Sequence, residues 1–158
     1  MITLRIEDGQ PAEGNLVYHA AEYTFDTEPA PMTCGAAFAV NELQLMLDDP
    51  KELRIVSVEG YSPYQGWRPS VLHAPRALPG VLRGVLERSL TAGTAIGVNS
   101  PQDRWPALVD RAIGWVRVGK GDPEEDRDGI AFAPGAIAIL EGNHLRALWL
   151  RPDRIPAL

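Results

Sequence analysis

The sequence has little of several features that would assign it to a class of protein. It contains one cysteine, Cys34, so no disulfide can form within the chain, and we expect a reducing, cytoplasmic location. No apolar stretch reaches the roughly 18 residues that suggest a membrane-spanning helix. The first residues show no basic segment followed by an apolar one, so we also expect no signal peptide.

The common catalytic motifs are absent as well. The chain has no G-x-S-x-G, which marks many serine hydrolases, no H-E-x-x-H and no G-x-G-x-x-G. Residues 114–120 match most of the phosphate-binding pattern GxxxxGK[ST], but Gly121 follows where a serine or threonine is required, and acidic residues come next. We therefore expect no cofactor, and the sequence favours a protein that is not an enzyme.

Basic residues are fewer than acidic residues. The chain has 15 Lys and Arg against 21 Asp and Glu, which gives a net charge of −6, and it has no dense basic run. Nucleic-acid binding depends on neutralising phosphates with basic side chains, so we expect no nucleic-acid partner. An acidic surface instead suits solubility or a basic protein partner.

Turn-forming residues, by contrast, are plentiful. The 158 residues include 14 prolines and 15 glycines, spread along the whole length, and the apolar runs between them are short. This punctuation predicts a single domain, residues 1–158, made mainly of β-strands. Alternating or continuous apolar residues predict strands at 2–7, 16–25, 34–47 and 52–59, with a turn or a β-bulge where the alternation changes phase near Asn41.

The second half of the sequence supplies one predicted helix and more strands. Apolar residues recur at helical spacing over 79–90, after a proline suited to a first helical position. A short strand is predicted at 94–98, a hairpin at 107–118 (with a helix at 103–113 as the alternative) and a three-stranded meander over 130–150. The predicted fold is α+β and mainly β, an antiparallel curved sheet or partly open barrel of eight to ten short strands with one helix.

Five acidic residues crowd a loop before Gly129, and carboxylates so placed can hold a hard cation. Their spacing does not match the known calcium loop, and a solvated hairpin tip is the favoured interpretation. No metal is therefore expected. The residues are Asp122, Glu124, Glu125, Asp126 and Asp128.

Cys34 allows a second chemical hypothesis. A thiolate paired with His19, His73 or His144 could act as a nucleophile, but the sequence does not show that any histidine lies near it. The alternative is that Cys34 fills space in the core as a small apolar residue.

The most informative segment is a loop that follows a predicted core strand. Its sequence, YSPYQGWRP over 61–69, joins aromatic side chains and an arginine with loop-forming Pro and Gly. Such residues are enriched at binding hot spots, and the candidate binding residues are Tyr61, Tyr64, Trp67, Arg68 and His73. The alternative is that Tyr64 and Trp67 fold back onto the core. Arg104-Trp105-Pro106 is a second, weaker loop of the same kind.

These observations support two functional hypotheses. In the first, the chain is a non-enzymatic protein that binds another protein or a second copy of itself, and an immunity-type inhibitor of a basic toxin would suit its size and acidity. In the second, it is a small-molecule-binding barrel or small enzyme with a site near Tyr61, Trp67 and His73. No membrane partner is expected.

Overall fold

A computed structural model describes residues 2–157, and within that range the regular structure is almost entirely β. It contains fifteen strands and two single-turn 3₁₀ helices, at Tyr64–Gly66 and Pro123–Glu125. The strands are β1 (Thr3–Glu7), β2 (Asn15–His19), β3 (Thr24–Glu28), β4 (Ala37–Val40), β5 (Leu43–Leu47), β6 (Ile55–Tyr61), β7 (Arg68–Pro69), β8 (Arg76–Pro79), β9 (Val81–Val85), β10 (Ala95–Gly97), β11 (Ala107–Asp110), β12 (Trp115–Gly119), β13 (Asp128–Ala133), β14 (Ala136–Glu141) and β15 (His144–Leu150).

These strands form two large sheets and one small ribbon. A six-stranded sheet has the order β10-β4-β5-β6-β3-β2, a seven-stranded sheet has the order β7-β11-β12-β15-β14-β13-β8, and β1 pairs with β9 alone. Buried apolar side chains from both large sheets join in one continuous core. The fifteen strands of the described residues form three separate sheets, none of which closes on itself. The predicted single curved sheet or partly open barrel of eight to ten strands is therefore wrong, although the mainly β character is confirmed.

The predicted helix at 79–90 is wrong. Residues Val81–Val85 form β9, which pairs antiparallel with β1 so that Leu82 lies opposite Ile6. A Cβ atom on Gly84 would lie 2.3 Å from Cζ of Phe38, so this strand approaches the core ring through a position that has no side chain. Local helical spacing was outweighed by pairing with a strand far away in the sequence, which a spacing pattern does not report.

Other strand predictions were corrected or confirmed element by element. Residues 16–25 are not one strand but the β2–β3 hairpin, whose turn includes Tyr23 at a φ of 62°. The phase change near Asn41 is a turn between β4 and β5, with Asn41 at a φ of 52°. The hairpin at 107–118 and the meander at 130–150 are confirmed as β11–β12 and β13–β14–β15.

The acidic loop is not the solvated hairpin tip that the sequence suggested, because one of its carboxylates is buried. Asp126 accepts hydrogen bonds from Nε of Arg117 at 2.9 Å, Nε of Arg146 at 3.0 Å and Nε1 of Trp149 at 2.9 Å. The side chains of Arg117 and Asp126 are fully buried, and the pair lies against the outer face of the seven-stranded sheet. Asp126 thus anchors the loop over that face.

No helix in the described part of the chain is long and apolar enough to cross a membrane.

Candidate functional site

Two aromatic loops meet at one cleft of about 440 Å³. The first is the predicted recognition loop, 61–69, and the second contains Arg104, Trp105 and Pro106. They meet because β7, at the end of the first loop, pairs in parallel with β11, at the end of the second, placing Arg68 opposite Leu108. The cleft is therefore built on the edge of the seven-stranded sheet rather than on free loops.

Two buried indoles form part of the cleft lining. Trp67 and Trp105 are only 4% and 3% exposed, yet both line the cleft. Trp67 stacks on Phe25 with ring centroids 5.9 Å apart, and its Nε1 donates a hydrogen bond to Oγ of Ser62 at 3.0 Å. The ring therefore packs in the core, as the alternative interpretation held, and it also lines the cleft.

Tyr18, on β2, holds the first loop in place. Its hydroxyl donates to the carbonyl oxygen of Ser62 at 2.6 Å and accepts from the backbone N–H of Tyr64 at 3.0 Å. The Tyr18 ring also lies 4.8 Å from the Trp67 ring, centroid to centroid. A buried phenol that donates and accepts in this way fixes the loop backbone on both sides of Pro63.

Burial raises the pKa of Tyr18 to about 12, from an ordinary value near 10. Between about pH 10 and pH 12 the Tyr18 hydroxyl stays protonated in the folded state but ionises in the unfolded chain. The contribution of Tyr18 to the free energy of unfolding is therefore complete below pH 10 and falls as the pH rises towards 12. Urea unfolding of the wild type and Tyr18→Phe should show it. Over that pH interval we expect the free energy of unfolding of the wild type to fall by about 1–2 kcal/mol more than that of the variant. This is less than the full pKa shift of Tyr18 implies, because the ring keeps some solvent contact. Parallel pH curves would contradict this.

Asn41 holds the second loop. From the β4–β5 turn, its Nδ2 donates to the carbonyl oxygen of Trp105 at 2.9 Å, and its Oδ1 accepts from the backbone N–H of Trp105 at 3.0 Å. Asn99 braces Asn41 in turn, donating from Nδ2 to its Oδ1 at 2.7 Å. The backbone of Trp105 is thereby paired on both its N–H and its C=O, and these hydrogen bonds hold the loop against the β4–β5 turn.

The charge of the cleft is opposite in sign to that of the chain. Arg68 and Arg104 both line it, and no carboxylate does. Arg104 donates from Nη1 to both carboxylate oxygens of Glu42, at 2.8 and 2.6 Å, but Glu42 lies outside the lining. Arg68 is exposed, and among residues 2–157 its side chain has no ion pair or hydrogen-bond partner.

The structure brings together most, but not all, of the predicted site residues. Tyr61 (46% exposed) and Arg68 stand on the rim of the cleft and Trp67 lies within it. Tyr64 packs against the core beside Tyr18 and does not line the cleft. His73 also lies outside the lining, and its Nδ1 lies 2.8 Å from Oε1 of Glu124 in an exposed pair.

Sequence reasoning missed Asn41 and Ser62, the polar side chains that hold the two tryptophans. A change of alternation marked the turn at Asn41, and asparagine is the non-glycine residue that most readily takes a positive φ. That signal locates a turn, but it does not reveal a second loop bound to it.

The Cys34–histidine pair is not formed in the described residues. Cys34 is partly buried and packs against the core. The three imidazoles instead face carboxylates or a backbone carbonyl: His19 lies near Asp26 and Glu28, His73 near Glu124, and His144 near the oxygen of Ile2. The structure therefore offers no support for Cys34 as an activated nucleophile.

No protein-family model, no curated protein and no solved structure matches this chain.

Proposed function

We propose that this chain is a non-enzymatic binding protein that recognises another protein through the cleft between its two aromatic loops. The observation that carries the proposal is the convergence of these loops, distant in sequence, around one concave site lined by Tyr61, Trp67, Arg68, Arg104 and Trp105. Tyrosine, tryptophan and arginine are the residues most enriched at the energetic centres of protein interfaces.

The arrangement of these side chains also supports recognition. Tyr61, Arg68, Arg104 and Pro106 are exposed members of the cleft lining, which also contains two indoles that are almost wholly buried. A rim of polar and amphipathic groups around an apolar centre is the anatomy of a protein-binding hot spot. The hydrogen bonds of Tyr18 and Asn41 order both loops in advance, which lowers the entropy lost on binding.

Two narrower forms of the proposal have less support. The net charge of −6 favours a basic partner, such as a toxin that the chain would inhibit, but the cleft itself carries arginines and no carboxylate. The alternative protein partner is a second copy of the chain, which would form a homodimer. Because the chain has a single cysteine, no disulfide can form within it, which supports the proposal of a cytoplasmic location.

A second candidate function is the binding of a small molecule in the same cleft. The observation that favours it is the cleft volume of about 440 Å³, within the usual range for ligand pockets. His73 has no part in this candidate, because it lies outside the cleft lining.

Gly66 provides a test that leaves the fold intact. It lines the cleft, its φ lies outside the positive range, and a Cβ atom built on it meets no heavy atom within 4 Å. We expect Gly66→Trp to fold as the wild type does and to obstruct the cleft. To find the partner, Tyr61 is replaced by the photo-crosslinking residue benzoylphenylalanine and the chain is expressed in cells of the source organism. Irradiation should yield a covalent adduct with a protein, and the adduct should disappear when the chain also carries Gly66→Trp.

The affinity of the captured partner then decides the question. By isothermal titration calorimetry we expect Gly66→Trp to weaken binding at least about tenfold, a cost of about 1.4 kcal/mol. Ser89→Trp, which adds the same side chain at an exposed position outside the cleft, should bind like the wild type. Equal affinities for the wild type and Gly66→Trp would overturn the proposal, and a small-molecule adduct alone would favour the second candidate.

A further inference from the structure

We infer that the segment of the partner that enters this cleft is an acidic peptide, whose Asp or Glu carboxylate binds Arg68 and whose neighbouring proline or aromatic ring packs against the aromatic and proline lining. The inference rests on the proposed function and adds the chemical class of the ligand. The charges of the cleft lining, the position of Arg68 and the apolar groups beside it carry the inference.

Arg68 is positioned to bind a carboxylate. It is exposed on the rim, and within residues 2–157 it has no acidic partner, so its guanidinium donors are free. Its backbone is not free, because β7 pairs with β11 and the N–H of Ser70 donates to the oxygen of Val109 at 2.9 Å. A planar guanidinium on a fixed strand suits two-point binding of a carboxylate.

Arg104 adds further hydrogen-bond donors to the cleft lining. Only its Nη1 is engaged by Glu42, and Nε and Nη2 have no partner among the described residues. Glu42 orients this guanidinium from outside the cleft without placing a negative charge in the lining. Because Glu42 offsets much of the charge of Arg104, Arg68 is the main source of positive potential in the cleft, which attracts anionic ligands and disfavours cationic ones.

The remaining lining suits rigid apolar groups. Tyr61, Pro63 and Pro106 line the cleft together with the two indoles. Aromatic-lined grooves bind proline-containing segments well, because such segments lose little entropy on binding. Extension of the sheet by the partner's backbone is not favoured here, since Pro69 on the edge strand β7 has no N–H to donate.

A random peptide library displayed on phage tests the inference. Selection on the wild type, with counter-selection on Gly66→Trp, should enrich peptides with an Asp or Glu beside a proline or aromatic residue. By fluorescence polarisation, we expect Arg68→Glu to lower the affinity for the tightest-binding synthetic peptide at least about tenfold. A loss of this size is typical of one charge-assisted hydrogen bond. Replacing the acidic residue of the peptide by its amide should weaken binding to the wild type. The same replacement should strengthen binding to Arg68→Glu, because it removes the repulsion between two carboxylates.

The control is Arg88→Glu, which makes the same change of charge at an exposed position outside the cleft. We expect it to bind the peptide like the wild type. If peptides enrich and Gly66→Trp blocks them, but they lack acidic residues or are insensitive to Arg68→Glu, the acidic-peptide inference fails while the cleft remains a recognition site. If no enriched peptide depends on an open cleft, peptide recognition at this site fails as well.

Discussion

Asp126→Ala is expected to lower the free energy of unfolding by about 3–5 kcal/mol, because it leaves the guanidinium of Arg117 buried without its counter-ion. Arg117 is fully buried and donates to Asp126 from Nε at 2.9 Å and to the carbonyl oxygens of Lys120 and Gly121 from its other nitrogens. The two carbonyls remain in the variant, but they carry no full negative charge. Single domains are stable by only about 5–15 kcal/mol, so this is a large part of the total.

Urea denaturation followed by tryptophan fluorescence measures this loss. Trp149 is a suitable reporter, because its Nε1 donates to Asp126 at 2.9 Å. The matched control is Asp128→Ala, which removes an exposed carboxylate two positions along and should change stability by no more than about 0.5 kcal/mol. A loss for Asp126→Ala as small as that of the control would show that the carboxylate does not compensate a buried charge.

The acidic loop shows why sequence patterns identify a charged segment without identifying its role. Five carboxylates share the loop, and nothing in their spacing distinguishes Asp126 from its neighbours. In β12, Val116 and Val118 enter the main core, so Arg117 is on the opposite face. Alternation makes that face look solvent-exposed, whereas a second apolar cluster containing Leu72 and Trp149 covers part of it. Alternation of apolar and polar residues along a strand does not show whether distant parts of the chain cover its outer face.

Strands next to clear turns were predictable for a local reason. The meander at 130–150 is punctuated by Pro134-Gly135 and by Glu141-Gly142-Asn143, and adjacent antiparallel strands pair directly across such turns. Residues 79–90 had no such local determinant. Their strand β9 pairs with β1, at the other end of a long stretch of chain, and only that pairing decides between strand and helix.

The cleft was predictable in its parts but not as a whole. The sequence identified both aromatic loops, because Tyr, Trp, Arg and Pro together in a loop are unusual enough to be noticed. It did not bring them together, since that depends on the two-residue pairing of β7 with β11. It also assigned His73 to the first loop's surface through proximity in the chain, whereas the backbone turns away and His73 meets Glu124 instead.

Trp67→Ala is expected to lower the free energy of unfolding by about 3–5 kcal/mol, the usual cost of deleting a large buried aromatic ring. The ring is 4% exposed and lies within 6 Å, centroid to centroid, of both Tyr18 and Phe25. Its removal also frees the hydroxyl of Ser62, which accepts from the indole. Trp115→Ala is the comparison, since Trp115 is only partly buried and lies on the other face of the seven-stranded sheet.

We expect Trp115→Ala to lower the free energy of unfolding clearly less than Trp67→Ala in urea denaturation, and equal losses would contradict the placement of Trp67 in the main core.

The large loss of stability expected for Trp67→Ala also affects tests of binding. Because one ring lies in both the core and the cleft, we expect Trp67→Ala to weaken folding and the proposed binding together, and a double alanine variant with Tyr64 to do so even more. Gly66 and Arg68 line the same cleft without core contacts of their own, so we expect substitutions there to affect the proposed recognition while leaving stability nearly constant.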